Sequence, residues 1–189
     1  MPARKTRKPA ADPVDAFMEL VADRGFDDVG MPDVAARCGL TLAEMRRQYA
    51  DPFDLLAAFA ERIDEKVLDA VPPELAEDAP RERLFDVLMM RFDALAPYKP
   101  ALAEIYDALR RDPLALAVWN RSAVRSQYWM LVAAGLAPAG PGGLAEAQGL
   151  VVVFGRTFRV WLKDDDQGMA RTMAELDRRL REAERNSRR

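Results

Sequence analysis

The chain has no histidine and one cysteine in 189 residues. Without histidine, most zinc sites and most imidazole-dependent acid–base or nucleophilic mechanisms are excluded. Cys38 has no second cysteine to pair with, and its place on a helix face beside Gly39 suits a small packed residue better than a nucleophile. Also missing are a Walker loop, a GxGxxG turn and a GxSxG elbow. No apolar run reaches the roughly 18 residues that would span a bilayer. The basic start, MPARKTRKPAADP, is not followed by an apolar segment, so it does not read as a secretory signal. Strand-like alternation and internal repeats are absent as well. These absences predict a cytoplasmic protein that is not an enzyme, needs no metal or other cofactor and makes no membrane contact.

Half of the residues are hydrophobic, enough for a proper core in one domain or in a small domain joined to a larger one. The informative stretch runs from Gly30 to Tyr49, GMPDVAARCGLTLAEMRRQY. It predicts a short helix over 32–38, a tight turn at Gly39-Leu40-Thr41 and a second short helix over 42–49. Gly39 supplies the left-handed conformation that ends the first helix, and Thr41 is a good N-cap for the second. Val34, Ala35, Leu42 and Met45 provide the small and apolar positions for steep packing. That pattern fits a helix-turn-helix, whose second helix can enter a DNA major groove. By itself it fits an ordinary αα-corner equally well.

Residues 1–11 carry Arg4, Lys5, Arg7 and Lys8 and no acid before Asp12. They read as a basic disordered arm, able to reach phosphates or simply solvated. Asp12-Pro13 pairs an N-cap with proline at the first helical position, and Val14, Phe17, Met18 and Val21 follow at helical spacing until Gly25. Phe26 and Val29 look like plugs beneath the next two helices. Asp51-Pro52 repeats the capping device and opens a fourth helix to about residue 69, with Phe53, Leu55, Leu56, Phe59, Ile63 and Val67 on its apolar face. The break at Val71-Pro72-Pro73 divides a head, 12–70, from a larger helical part, 74–185. Further helices are predicted over 80–96 (Leu84, Val87, Leu88, Arg91 and Leu95), 100–110, 113–134, 144–162 and 169–185. The class is all-α.

A three-helix head with a helix-turn-helix, a connecting fourth helix and a larger helical domain resembles the TetR-type transcriptional regulators. Ala16–Leu20, Gly25-Phe26, Asp33-Val34-Ala35, Gly39-Leu40-Thr41, Tyr49 and Leu55-Leu56 carry the resemblance. It implies a TetR-like fold, a head that binds double-stranded operator DNA as a dimer, and a C-terminal domain whose small ligand releases the DNA, most often as a repressor. Thr41, Leu42, Arg46, Arg47 and Gln48 are then the expected DNA contacts, with Arg4, Lys5, Arg7 and Lys8 in support. Two positions depart from the family pattern. Arg46 stands where the family usually has a tyrosine, and Pro52 where it usually has a lysine, both normally phosphate contacts. A guanidinium can take over that role and a proline cannot. Between residues 12 and 69, fourteen carboxylates also face only six cationic groups, a net charge of −8.

A second segment, Val160-Trp161-Leu162 with Asp164-Asp165-Asp166 and Thr172 to Leu180, looks like the C-terminal end of the ubiquinone-biosynthesis accessory proteins. That likeness implies the competing reading, an isoprenoid-lipid carrier on the same scaffold with a vestigial head. The predicted ligand site centres on the helix from Pro113, where Leu116, Trp119, Ala123, Val124, Met130 and Leu131 form one broad face. Asn120 and Gln127, seven positions apart, fall in its middle. They either hydrogen-bond a small apolar or amphipathic effector or bond neighbouring groups of the fold. Met89, Met90, Phe92, Phe154 and Phe158 read equally as cavity lining or as core. The helix over 144–162 is apolar around most of its circumference, and with 169–185 it is expected to form a two-fold homodimer through a four-helix bundle. Acids alternate with the arginines of the last helix, which favours a solvated, salt-bridged surface there.

Overall fold

A computed structural model describes residues 11–137, 140 and 142–187, with backbone alone for 186 and 187. Arg4, Lys5, Arg7 and Lys8 lie outside the described residues. Among those residues the fold is all-α: α1 Pro13–Arg24, α2 Met31–Cys38, α3 Leu42–Gln48, α4 Pro52–Ala70, α5 Pro80–Leu95, α6 Lys99–Arg111, α7 Pro113–Ala133, α8 Gly142–Trp161 and α9 Ala170–Ser187. Every expected helix is present with its ends displaced by one or two residues, the usual play of fraying termini. Two short 3-10 turns, Pro73–Glu77 and Ala96–Tyr98, were not foreseen. None of the described helices is long and apolar enough to cross a membrane.

The chain divides into two compact units, and the division falls inside α4, between Phe59 and Ala60. Among the described residues, 100–113 belong with 11–59, and those from 114 to 187 with 60–99. Composition changes most sharply at Pro72-Pro73, twelve residues after the change in packing, because α4 runs on without interruption.

In the first unit, Asp12 caps α1 by accepting from Val14 N at 2.9 Å, and Val14, Phe17, Met18 and Val21 turn inward. Phe26 is half-buried and meets Phe17 and Phe53 edge-on, with ring centroids 6.1 and 5.9 Å apart. Val29 is buried, so the pair act as the expected plugs. Cys38 is buried too, and burial pushes its thiol pKa up, with Asp12 adding to the effect. A protonated, enclosed thiol is a packing group.

The second unit has its core at Val67, Val87, Leu88, Met130, Leu131, Ala147, Leu150, Leu176 and Leu180. Phe92, Phe154, Phe158 and Trp161 stack beside it, with Phe92–Phe154 centroids at 4.8 Å and Phe158–Trp161 at 5.2 Å. Arg91 is buried on the apolar stripe of α5, where it pairs with buried Asp64 of α4, while Ser126 of α7 donates to the same carboxylate oxygen at 2.8 Å. The guanidinium also lies over the Phe154 ring. At the start of α9, Asp164 accepts from Thr172 Oγ1 at 2.7 Å and Thr172 N at 2.9 Å. Trp161, Asp164 and Thr172 therefore all hold the fold together.

One expectation fails. The first two turns of α7 are not buried: Leu114, Leu116 and Val118 are 74, 48 and 51 % exposed. Helical period marks an apolar face but does not show how much of it another helix covers.

Candidate functional site

The helix-turn-helix is built by local chemistry. Gly39 has φ +67°, and Leu40 N donates to Ala35 O at 2.9 Å, so a left-handed glycine closes α2. Two residues on, a reciprocal capping box opens α3. Glu44 N donates to Thr41 Oγ1 at 3.2 Å, and Glu44 Oε2 accepts from both Thr41 N and Thr41 Oγ1 at 2.8 Å. Met45 is the one buried residue of α3 and anchors it to the head. Since α3 has only seven residues, its cap matters. Thr41→Ala should cost about 1 kcal/mol of unfolding free energy in urea. A loss below a few tenths would show that packing of Met45 alone holds the helix.

The anchor leaves the opposite side of α3 to solvent. Thr41, Leu42, Arg46, Arg47 and Gln48 are all exposed; Leu42, at 59 %, does not take the packing position expected of it, because Met45 alone faces the head. Gln48 Nε2 reaches back to Glu44 O at 3.3 Å. Arg46 and Arg47 have no ion-pair partner among the described residues, in contrast to the other arginines of this unit that Asp and Glu neutralise. Arg24 pairs with Asp33, Arg37 with Glu19 at 2.7 Å, and Arg111 with Asp27 at 2.8 Å.

The head's acidity looks different once these bonds are assigned. Asp12, Asp33, Glu44, Asp51 and Asp54 all accept backbone N–H groups at helix starts. Such carboxylates complement the positive end of the helix dipole. Asp64 is buried against Arg91. These six of the fourteen acids thus have a partner within the fold, though only Asp64 is buried, while Arg46 and Arg47 stand on α3 without an ion-pair partner among the described residues.

The six predicted ligand residues stand in different surroundings. Asn120 exchanges two hydrogen bonds with Gln148 of α8, at 2.8 and 3.2 Å, so its amide is satisfied by the fold. Trp119 is half-buried. Phe92 and Phe158 belong to the aromatic stack, and Phe92 is fully buried. Met89 lines a separate groove of about 540 Å3 with Met90, Leu75 and the carboxylates of Glu74, Glu77, Asp78, Asp86 and Asp93. Burial and then the charges of Asp78 and Glu82 push the Asp86 pKa up. Gln127 is the exception. It is 3 % exposed, and among the described residues its Oε1 accepts no hydrogen bond. Arg91 Nε is likewise buried without a partner. Arg91, Asp64 and Ser126 were missed as a group. The signal for Arg91 was its place in the apolar register with Leu84, Val87, Leu88 and Leu95.

The fold is shared with solved structures. A TetR transcriptional regulator from Nitrosomonas europaea ATCC 19718 superposes with a TM-score of 0.69 at 23 % identity, over 90 % of this chain and 95 % of that one. A TetR transcriptional regulator from Rhodococcus sp. RHA1 gives 0.60 at 19 % identity, over 89 and 90 % of the two chains. The multidrug binding protein EbrR, solved with imidazole, gives 0.53 at 22 % identity, over 88 and 87 %. No family profile matches the sequence, and no curated protein does. At these identities the likeness establishes an all-α, TetR-like fold.

Proposed function

We propose that this chain is a ligand-responsive transcriptional regulator, acting as a repressor, that binds operator DNA as a homodimer. Residues 12–70 are the DNA-binding head and 74–185 the ligand and dimerisation domain, with the basic arm at 1–11 in support. The observation that carries the reading is the solvent face of α3. Two unpaired arginines stand on a short helix that a capping box and one buried methionine hold in place. Guanidinium groups so placed can fork onto guanine edges or onto phosphates. The solved neighbours named as TetR transcriptional regulators support this assignment of a role to the head.

Dimerisation supplies the second recognition helix, since two half-sites lie roughly 34 Å apart. The solvent stripe of α8 suits a two-fold contact, because half-exposed Val152 lies between Gly149 and Gly155. Met173 of α9 is 42 % exposed and adds apolar area. For the effector, Gln127 Oε1 and Arg91 Nε are available to hold a small, largely apolar molecule; with Asp164 Oδ1 they are the buried side-chain polar atoms without a hydrogen-bond partner among the described residues. A ligand that favours a head spacing unsuited to the operator releases the DNA by differential binding.

The test is binding of the purified chain to DNA from its own upstream region, titrated with salt. Saturable binding that weakens steeply as salt rises is expected. No binding at low salt, or a monomeric mass at micromolar concentration, would end the dimeric-regulator reading. A separate measurement addresses Gln127. A buried acceptor without a donor costs about 1–3 kcal/mol, so Gln127→Met should leave the urea midpoint unchanged or raise it. A fall of more than about 1 kcal/mol would mean that Gln127 bonds within the fold and is not held for a ligand.

A further inference from the structure

The arginines of the C-terminal helices fall into two groups. Those toward the end of α9 are neutralised: Arg178 and Arg179 each bond Glu175 and Glu182, and Arg181 bonds Asp177, which also meets Arg81. The end of α8 is treated differently. The side chains of Arg156, Arg159 and Lys163, with that of Arg171 at the start of α9, make no ion pair or hydrogen bond among the described residues, and Arg171 acts on the buried Asp164 carboxylate only by helping to lower its pKa. All four line one hollow of about 580 Å3, together with Val160, Glu175 and Arg179. Five cations and one carboxylate meet there, in a chain whose net charge is −3. Glu175 does not offset the four free cations, because its oxygens are engaged by Arg178 and Arg179 at 2.6 to 3.1 Å.

Helix electrostatics explains part of this arrangement. Arg159 and Lys163 lie at the C-terminal end of α8, where a cation gains about 0.3–1 kcal/mol from the dipole. The same rule makes Arg171 unfavourable, since it occupies the first turn of α9, and it gives nothing to Arg156 inside α8. The acids at that helix start are used locally: Asp164 accepts from Thr172, and Asp166 from Gly168 and Ala170. With 31 acidic residues in the chain, pairing these cations internally was available and did not occur.

We infer that this hollow binds the phosphoryl group of a small anionic molecule. Three guanidinium forks and an ammonium match the several oxygens of a phosphoryl group or diphosphate. The volume falls within the roughly 300–1,000 Å3 of small-molecule sites, and Val160 offers an apolar contact beside the charges. This site is independent of the DNA-binding face on α3, and it lies toward the C-terminal end of the α8 stripe whose middle, at Val152, is proposed for the dimer contact.

The probe is inorganic pyrophosphate, titrated calorimetrically into the full chain near physiological salt. One saturable site per chain is expected, weakened at least tenfold by Arg156→Gln/Arg159→Gln and by Arg171→Gln. Arg81→Gln/Arg181→Gln, which removes arginines paired with Asp177 outside the hollow, should bind as wild type, and so should Arg46→Ala/Arg47→Ala. If the α8 double variant loses its helical circular dichroism, Lys163→Gln, beyond the helix end, gives the same reading without touching α8. Co-sedimentation with phosphatidylcholine vesicles, with and without phosphatidylglycerol, separates the source of the group. Pyrophosphate binding assigns a soluble phosphoryl ligand, and binding to phosphatidylglycerol vesicles alone, lost in the same variants, assigns a lipid headgroup. The proposal is overturned if neither probe binds, if the control pair weakens binding equally, or if only a duplex DNA depends on these residues.

Discussion

Replacing Asp64 with alanine should destabilise the protein by about 3–5 kcal/mol, the usual cost of removing one partner from a buried ion pair. Only 6 % of the Arg91 side chain is exposed, so the guanidinium left behind can neither reach water nor find another carboxylate. Its Nε already lacks a partner, and Ser126 Oγ would lose its acceptor as well. Domains of this kind are stable by roughly 5–15 kcal/mol, so the variant should lose about a fifth of the total or more. At about 2–4 °C per kcal/mol, the melting temperature should fall by roughly 6–20 °C. The Asp64→Leu/Arg91→Met double variant removes both charges, keeps most of the volume and should recover most of that loss. Urea unfolding of the two variants and the wild type checks the claim. If the double variant is as unstable as Asp64→Ala, the cost lies in packing around Phe154 and Ser126, and the pair is not its source.

Arg46→Ala/Arg47→Ala should abolish operator binding with little effect on stability. Both side chains are exposed and unpaired, so truncation removes no bond of the fold. Each contact of a guanidinium with a base edge or a phosphate contributes about 1 kcal/mol at the low end. Two arginines on each of two heads therefore sum to about 4 kcal/mol, a loss of roughly a thousandfold. Salt dependence carries the sharper signature. Each phosphate contact contributes about 0.9 to the slope of log affinity against log salt, so removing four should flatten it by roughly 3 to 4. A drop in affinity with an unchanged slope would place both arginines on bases. Affinity equal to wild type, with the variant still folded, would remove α3 from the interface.

The readings that held were those resting on a few adjacent residues. Asp12-Pro13, Gly39 with Thr41, and Asp51-Pro52 each define a helix end by bonds spanning no more than five positions, and the corresponding ends appear where the sequence places them. Met45 as the buried anchor of α3, and Arg46 and Arg47 on its far side, follow from the same short-range periodicity. That is why the all-α class and the helix-turn-helix were legible in the chain alone.

Packing between distant helices decided the rest. Asn120 and Gln127 are equivalent in the helical register, yet one is satisfied by Gln148, 28 positions away, and the other is buried with a free oxygen. Asp64 counts in the sequence as one more acid of the head, and only its approach to Arg91, 27 positions on, makes it half of a buried pair. The arginines at the end of α8 and along α9 look alike in composition, but those of α9 have acids one turn away on their own helix. Arg156 and Arg159 have none in that position and depend on what neighbouring helices bring. The sequence by itself determined helix ends, helix faces and the solvent face of α3, because capping and periodicity act within a turn or two. For polar groups with no partner within a turn of their own helix, which are neutralised, buried or left free was decided by tertiary structure alone, because that depends on which helices meet.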